Sequence, residues 1–270
     1  MERPCTFSVV IPVYNRKSEL IRALYSVLPL ASSHFVEVII VDDCSTDSLS
    51  SQYIEKCISA TCYGALKYIR LPNNMGVTFA KNTGGFNATC DWLIFLDSDD
   101  ILVEEFGDIF SSELRRYLDS GLVPDILFFR CISRTTRSLI GRHREACFLN
   151  IKDYLRNGTY GECLPVIKRD SFLRYPYNSF LRGCESTAYL NLLINDGVLY
   201  LSDQVGRVYT DTGSSRLSSP IHLFRRSRFL AIYHVGFFIV LLRSQGIFHP
   251  LSLVKSLFYS ATFLIFLILN

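Results

Sequence analysis

The sequence predicts an α/β fold on a largely parallel sheet, and three observations lead there. Short apolar runs alternate with longer amphipathic ones from Phe7 to about Leu102. Strands that alternate with helices pair in parallel and are covered on both faces. Three of the apolar runs end in polar clusters, which is where ligands bind in such sheets. The chain has 270 residues, enough to bury a sizeable core.

Taken in order, 7–13 reads as a buried strand, and 18–28 carries apolar residues at helical spacing with Ser18 as its expected N-cap. A second strand is expected over 36–41 and a second helix over 49–58, a third strand over 66–71 and a third helix over 77–88. Trp92–Leu96 is the fourth strand. Beyond it the pattern suggests a helix over 103–118, a strand over 125–130, a basic loop over 134–146, a helix near 187–195 and a strand near 198–201. A boundary near 215–220 divides a domain of residues 1–216 from an apolar tail of residues 217–270; within the domain, 1–102 and 103–216 form two halves.

A net charge of +3 is too small to argue for nucleic acid. The charge is uneven, however. Residues 214–270 hold Arg216, Arg225, Arg226, Arg228, Arg243 and Lys255 and no Asp or Glu, within a strongly apolar stretch that suits an anionic membrane surface. Nine scattered cysteines without a CxxC pair suggest reduced thiols in a cytosolic compartment rather than a disulfide framework or zinc site. No long apolar run precedes the first strand, so a signal peptide is not expected.

The chemistry-bearing residues lie at the strand ends: Tyr14-Asn15, Asp42-Asp43-Cys44-Ser45 and Asp97-Ser98-Asp99-Asp100. Asp97 and Asp99 are two apart, so on an extended backbone both side chains face one way. Two carboxylates beside an anionic ligand call for a bridging divalent cation, and hard oxygen donors favour Mg²⁺ or Mn²⁺. The competing reading is a helix N-cap supplied by Ser98, Asp99 or Asp100. For Asp42 and Asp43, one reading is acceptance from the N3–H of uracil or thymine. The other is capping, with Asp47 helping to start the next helix.

Val10-Ile-Pro-Val-Tyr-Asn15, Val41-Asp-Asp-Cys-Ser-Thr-Asp47, Asn74-Met-Gly76 with Ala80-Lys-Asn82, and Phe95-Leu-Asp-Ser-Asp-Asp100 follow one another at suitable spacings. Together they resemble the nucleotide-binding half of glycosyltransferase family 2, which has the GT-A fold. The resemblance is strong over 7–102 and loose over 160–216. It implies that Pro12, Val13 and Tyr14 line a base pocket and that Asp43 contacts the base. Asp97 would lie near the ribose and donor sugar as well as the metal, and Asp99 would ligate the Mn²⁺ or Mg²⁺. Lys81 stands where the family usually has Arg, and would neutralise phosphate as a point charge without a fork. The family's acceptor-side Glu-Asp corresponds to Glu185-Ser186, which leaves Glu185 as the candidate base, with a helix start as the alternative. Tyr209–Arg216 resembles the loop that folds over the diphosphate, so Arg216 is expected to stabilise the leaving UDP.

In the tail, 229–242 and 256–269 are uncharged runs of 14 residues each. A spanning helix needs about 20, so two helices lying in the interface fit better, the alternatives being packing on the core or a dimer contact. The expectation is therefore an inverting, metal-dependent glycosyltransferase, peripheral on the cytoplasmic face of the inner membrane. It would move a sugar from a UDP-type donor to a glycan or polyprenyl-diphosphate-linked acceptor. A nucleotidyltransferase would be expected to carry a Gly-rich, basic phosphate loop after the first strand, and Ile-Pro-Val-Tyr-Asn-Arg lacks one. An inactive scaffold on the same fold is the other alternative, prompted by Ser186.

Overall fold

The computed structural model describes residues 5–57, 63–118, 121–180, 184–210, 227, 230–232, 234–235, 238–239, 242 and 254–260. Its first half follows the expected alternation: β1 (Thr6–Val13), α1 (Lys17–Ser33), β2 (Phe35–Asp42), α2 (Ser51–Cys57), β3 (Ala65–Arg70), α3 (Val77–Asn87) and β4 (Trp92–Phe95). The second half holds β5 (Ile101–Leu102), α4 (Phe106–Leu118), β6 (Ile126–Ser133), β7 (Cys147–Leu149), α5 (Ile151–Asn157), β8 (Cys163–Lys168), α6 (Arg169–Arg174), α7 (Ser186–Ile194) and β9 (Leu199–Tyr209). The sheet order is β3-β2-β1-β4-β8-β6-β9-β5, with β7 paired to β9.

β1 pairs in parallel with β2 and β4, and β2 with β3. The sheet is mixed beyond β4, because β8 runs antiparallel to both β4 and β6 while β6 and β9 are parallel. Successive side chains on a strand point to opposite faces, so the continuous apolar runs of β1 and β2 feed two cores. Val9, Ile11, Val38 and Ile40 pack with Leu20, Leu24, Phe106 and Phe110 of α1 and α4. Val10, Ile39 and Val41 pack with Ala80, Phe172 and Tyr189 of α3, α6 and α7. The α3 backbone approaches β1 closely at Gly84, where an added Cβ would lie 2.2 Å from Val10 Cγ1.

Several sequence expectations are corrected. α1 begins at Lys17 with Arg16 at its N-cap, so Ser18 lies inside the helix and its hydroxyl donates to Glu19. The helix also runs through Pro29 to Ser33. Pro costs one helical hydrogen bond, and Leu30 lies beyond it in the core. Asp47 accepts from the Lys17 backbone N–H at 3.2 Å, so it serves α1, while Ser50 accepts from Tyr53 N–H in α2. Residues 97–100 form a turn closed by Asp100 N–H to Asp97 O at 3.0 Å, not the extended backbone assumed for Asp97 and Asp99. β9 extends well past residue 201.

Among the described residues no helix is long and apolar enough to cross a membrane. The boundary near 215–220 and most of the tail lie outside the described residues. Where the tail is described, 230–232, 234–235, 238–239, 242 and 254–260 are helical. Ser256 donates to Ala231 O, and His234 stacks on Tyr259.

Candidate functional site

β1 lies between β2 and β4, so their C-terminal ends meet at one edge. Asp43 N–H donates to Val13 O, and Leu96 N–H to Val10 O. Pro12 and Val13 are buried in β1, which leaves Tyr14 as the exposed ring at its end. The buried Asp43 carboxylate accepts from the backbone N–H groups of Met75 and Gly76 at 2.6 and 2.8 Å. Gly76 has φ +91°, a conformation that glycine adopts without steric cost. Asp43 therefore fixes the start of α3, with both its oxygens already accepting one bond. Asp42 is wholly buried by Ser45 N–H, Tyr68 Oη and Arg70, a structural role.

The acidic turn after β4 is held from several sides. Asp97 Oδ1 lies 3.1 Å from Lys81 Nζ, and Asp97 Oδ2 lies 3.8 Å from Arg207. Asp99 pairs with Arg16. Asp100 Oδ1 accepts from Thr210 N–H, and its Oδ2 lies 3.1 Å from Arg207. Thr210 Oγ1 donates to the Asp99 carbonyl, so the end of β9 is stapled to this turn. α4 begins only at Phe106, so none of these side chains caps it.

The acceptor-side carboxylate joins the same cluster. Lys81 Nζ is 3.3 Å from Glu185 Oε1, so one ammonium bridges Asp97 and Glu185. Glu185 sits at the N-cap position of α7 but makes no capping hydrogen bond. The structure thus brings Lys81, Asp97 and Glu185 into direct contact, and adds Arg16 and Arg207, which the sequence reading missed. Arg16 adjoins the Tyr14-Asn15 motif and could have been suspected. Arg207 has no local signal: an arginine 4% exposed in a strand is legible only from its partners. Arg216 lies outside the described residues.

Electrostatics follow from this crowding. Burial alone would raise the Asp97 carboxyl, but Lys81, Arg207 and Arg16 outweigh it and hold the group below its ordinary range. Asp100 behaves oppositely: burial, with Asp97 and Asp99 nearby, pushes it up to about 7 against Arg207. Burial would lower the Lys81 ammonium, yet Asp97 and Glu185 carry it well above its usual value.

The donor set suits a hard divalent cation. The ion pairs join five carboxylates (Asp97, Asp99, Asp100, Glu162 and Glu185) to three cations (Arg16, Lys81 and Arg207), so the carboxylates outnumber the cations even with Asp100 pushed up to about 7. Asp97 Oδ1 and Asp100 Oδ2 are shielded from solvent and face the Lys81 ammonium and the Arg207 guanidinium, each at 3.1 Å. Among the described residues no three His, Cys, Asp or Glu side chains surround one point. Mg²⁺-type ions need only one or two carboxylates when phosphates and waters fill the remaining positions.

The sequence profile of "Glycosyl transferase family 2" matches residues 8–110. The amylovoran biosynthesis glycosyltransferase AmsB of Erwinia amylovora is 36% identical over 97 residues, 35% of this chain and 31% of that one. The chain spans 14% to 38% of the length of the curated relatives it matches. S. aureus TarS 1–349, solved in complex with UDP-GlcNAc, superposes with a TM-score of 0.68 at 16% identity over 95% of this chain and 72% of that one. The mannosyltransferase PcManGT of Pyrobaculum calidifontis, solved with GDP-Man and Mn²⁺, gives 0.63 at 15% identity, covering 97% and 74%. At these identities the two structures establish a shared fold.

Proposed function

Because residues 8–110 of this chain match the profile of glycosyl transferase family 2, we propose that it transfers a sugar, with inversion, from a UDP-type donor to the hydroxyl of a lipid-linked glycan. The observation that carries the reading is the single cluster joining Asp97 after β4 to Glu185 before α7 through Lys81. A donor-side and an acceptor-side carboxylate thereby share one ammonium, which brings the two sides of a transfer site together. The nucleotide sugars named with TarS and PcManGT support the donor class.

In this reading Pro12, Val13 and Tyr14 form the wall against the base. Asp43 lies beside it, its carboxylate oriented by the Met75 and Gly76 N–H groups. Asp97 and Asp99 would hold Mn²⁺ or Mg²⁺, which would supply charge neutralisation at the diphosphate. Asp99, paired with Arg16 in this structure, would have to be freed from that arginine to serve as a ligand. Glu185 takes the proton of the acceptor hydroxyl as its oxygen bonds to the anomeric carbon. The bond from that carbon to the diphosphate oxygen breaks, and the electron pair leaves with the nucleoside diphosphate, with Arg216 stabilising it.

Attachment to the cytoplasmic membrane face through 217–270 completes the proposal. Ile232, Val235, Ile239 and Leu242 are exposed at helical spacing, as are Val254, Leu257 and Phe258. The five basic residues from Arg225 to Lys255 add attraction to anionic lipid. A like-charged second copy of this surface would be repelled, which favours lipid over a dimer. Sedimentation with vesicles of anionic against neutral lipid tests this point. Equal, negligible binding to both would remove it.

The transfer itself is tested by a mass-spectrometric screen of UDP-, dTDP- and GDP-sugars with Mn²⁺ or Mg²⁺. Release or transfer of sugar from a UDP-sugar is expected. No turnover of any donor would favour an inactive scaffold, and incorporation of the nucleotide into product would favour a nucleotidyltransferase.

A further inference from the structure

Lys81 is placed where an ordinary phosphate ligand would be poorly used. It sits on the inner side of α3, 9% exposed, with its ammonium 3.1 Å from Asp97 Oδ1 and 3.3 Å from Glu185 Oε1. Among the described residues Lys81 is the only cation in the ion pairs of Glu185. Two of the three ammonium donors thus point at carboxylates from two distant parts of the chain.

The next residue points the same way. Asn82 Nδ2 donates to Tyr177 O at 2.6 Å and to Ser179 Oγ at 2.9 Å, and Tyr177 N–H donates back to Asn82 Oδ1 at 3.1 Å. Tyr177 Oη meets Tyr189 Oη at 3.1 Å, one turn into the helix that Glu185 begins. α3 therefore grips both ends of the segment carrying Glu185: Asn82 fixes its backbone upstream and Lys81 its carboxylate. A compact ammonium with rotatable donors can bridge carboxylates on separate elements, whereas a guanidinium fork suits one planar anion.

Resting on the transferase reading, we infer that Lys81 is a positioning residue: it orients Glu185 toward the acceptor hydroxyl from a fixed point on Asp97, and it is not a diphosphate ligand. The base is thereby indexed to the residue nearest the donor sugar. Misplacing a reacting group by about 1 Å costs roughly 100-fold in rate, which sets the size of the expected effect.

The test is a double-mutant cycle on the full chain with Lys81→Met, Glu185→Gln and the pair, measuring kcat, acceptor KM and UDP affinity by calorimetry with Mn²⁺. Lys81→Met is expected to lower kcat by roughly 100-fold with UDP affinity within about threefold of the unaltered chain, and the double variant to be no slower than Glu185→Gln. A loss of UDP affinity of about tenfold or more, or effects that multiply in the double variant, overturns the inference and returns Lys81 to the phosphate. Lys81→Gln, which keeps a hydrogen-bond donor, is run alongside; partial recovery of kcat supports positioning, and thermal unfolding checks that each variant folds. No turnover by the unaltered chain counts against the transferase reading itself, and this one falls with it.

Discussion

At the scale of single residues, the acidic turn shows how neighbours assign roles to identical side chains. Asp97, Asp99 and Asp100 lie within four residues, yet Lys81 and Arg207 hold Asp97 below its ordinary range while burial pushes Asp100 up to about 7. Arg207 is the hinge of this arrangement. Replacing it by Met leaves the buried Asp100 without its cation and is expected to destabilise the protein by about 3 kcal/mol. Denaturant unfolding measures this, and a loss under about 1 kcal/mol would show that the turn does not depend on Arg207. Glu185→Gln removes the proposed base and is expected to cost between about 10²- and 10⁴-fold in kcat with donor affinity kept. Near-normal kcat would move the base elsewhere.

At the scale of elements, the β1–β2–β3 edge is tied by a buried acid. Glu37 in β2 accepts from Ser8 Oγ at 2.6 Å and Thr89 N–H at 2.9 Å and pairs with Lys67. Burial alone would raise its carboxyl, but Lys67, Ser8 and the Thr89 N–H outweigh that and depress it below 4.5. The depressed value means its contribution is fully present above pH 4.5 and lost as pH falls through the folded-state value. Glu37→Gln is expected to cost on the order of 1–3 kcal/mol at neutral pH. Unfolding curves should also lose part of their acid sensitivity below pH 4.5, and an unchanged acid limb would contradict this. Gly84→Ala forces α3 away from Val10 and is expected to cost about 1–3 kcal/mol as over-packing. It should also lower activity, because Lys81 and Asn82 ride on the same helix.

At the scale of the whole molecule, legibility followed the kind of pairing. The parallel strands β1, β2 and β4 bury both faces, so they stand out as apolar runs with polar ends, and the residues at those ends could be named from them. The stretch 147–174 was not legible. β7 has three residues and α5 seven, too short for periodicity. β8 carries Pro165 at its centre, and proline within a run argues against a central strand. Yet β8 joins the two halves of the sheet. Asp97 and Asp99 were singled out on a premise the structure overturns: their backbone is a turn, and the same-side argument from strand period does not apply. Arg207 and the Lys81 bridge were invisible because contacts across the fold, not local pattern, define them.

The central claim is that the Asp97–Asp99 turn holds a divalent ion that the transfer requires. Turnover of a UDP-sugar should be measured for the unaltered chain and for Asp99→Ala, each with Mn²⁺ and after EDTA. Loss of turnover in EDTA, restored by Mn²⁺ in the unaltered chain but not in a folded Asp99→Ala variant, is the predicted result. Full activity in EDTA, or an Asp99→Ala variant as active as the unaltered chain, would contradict it.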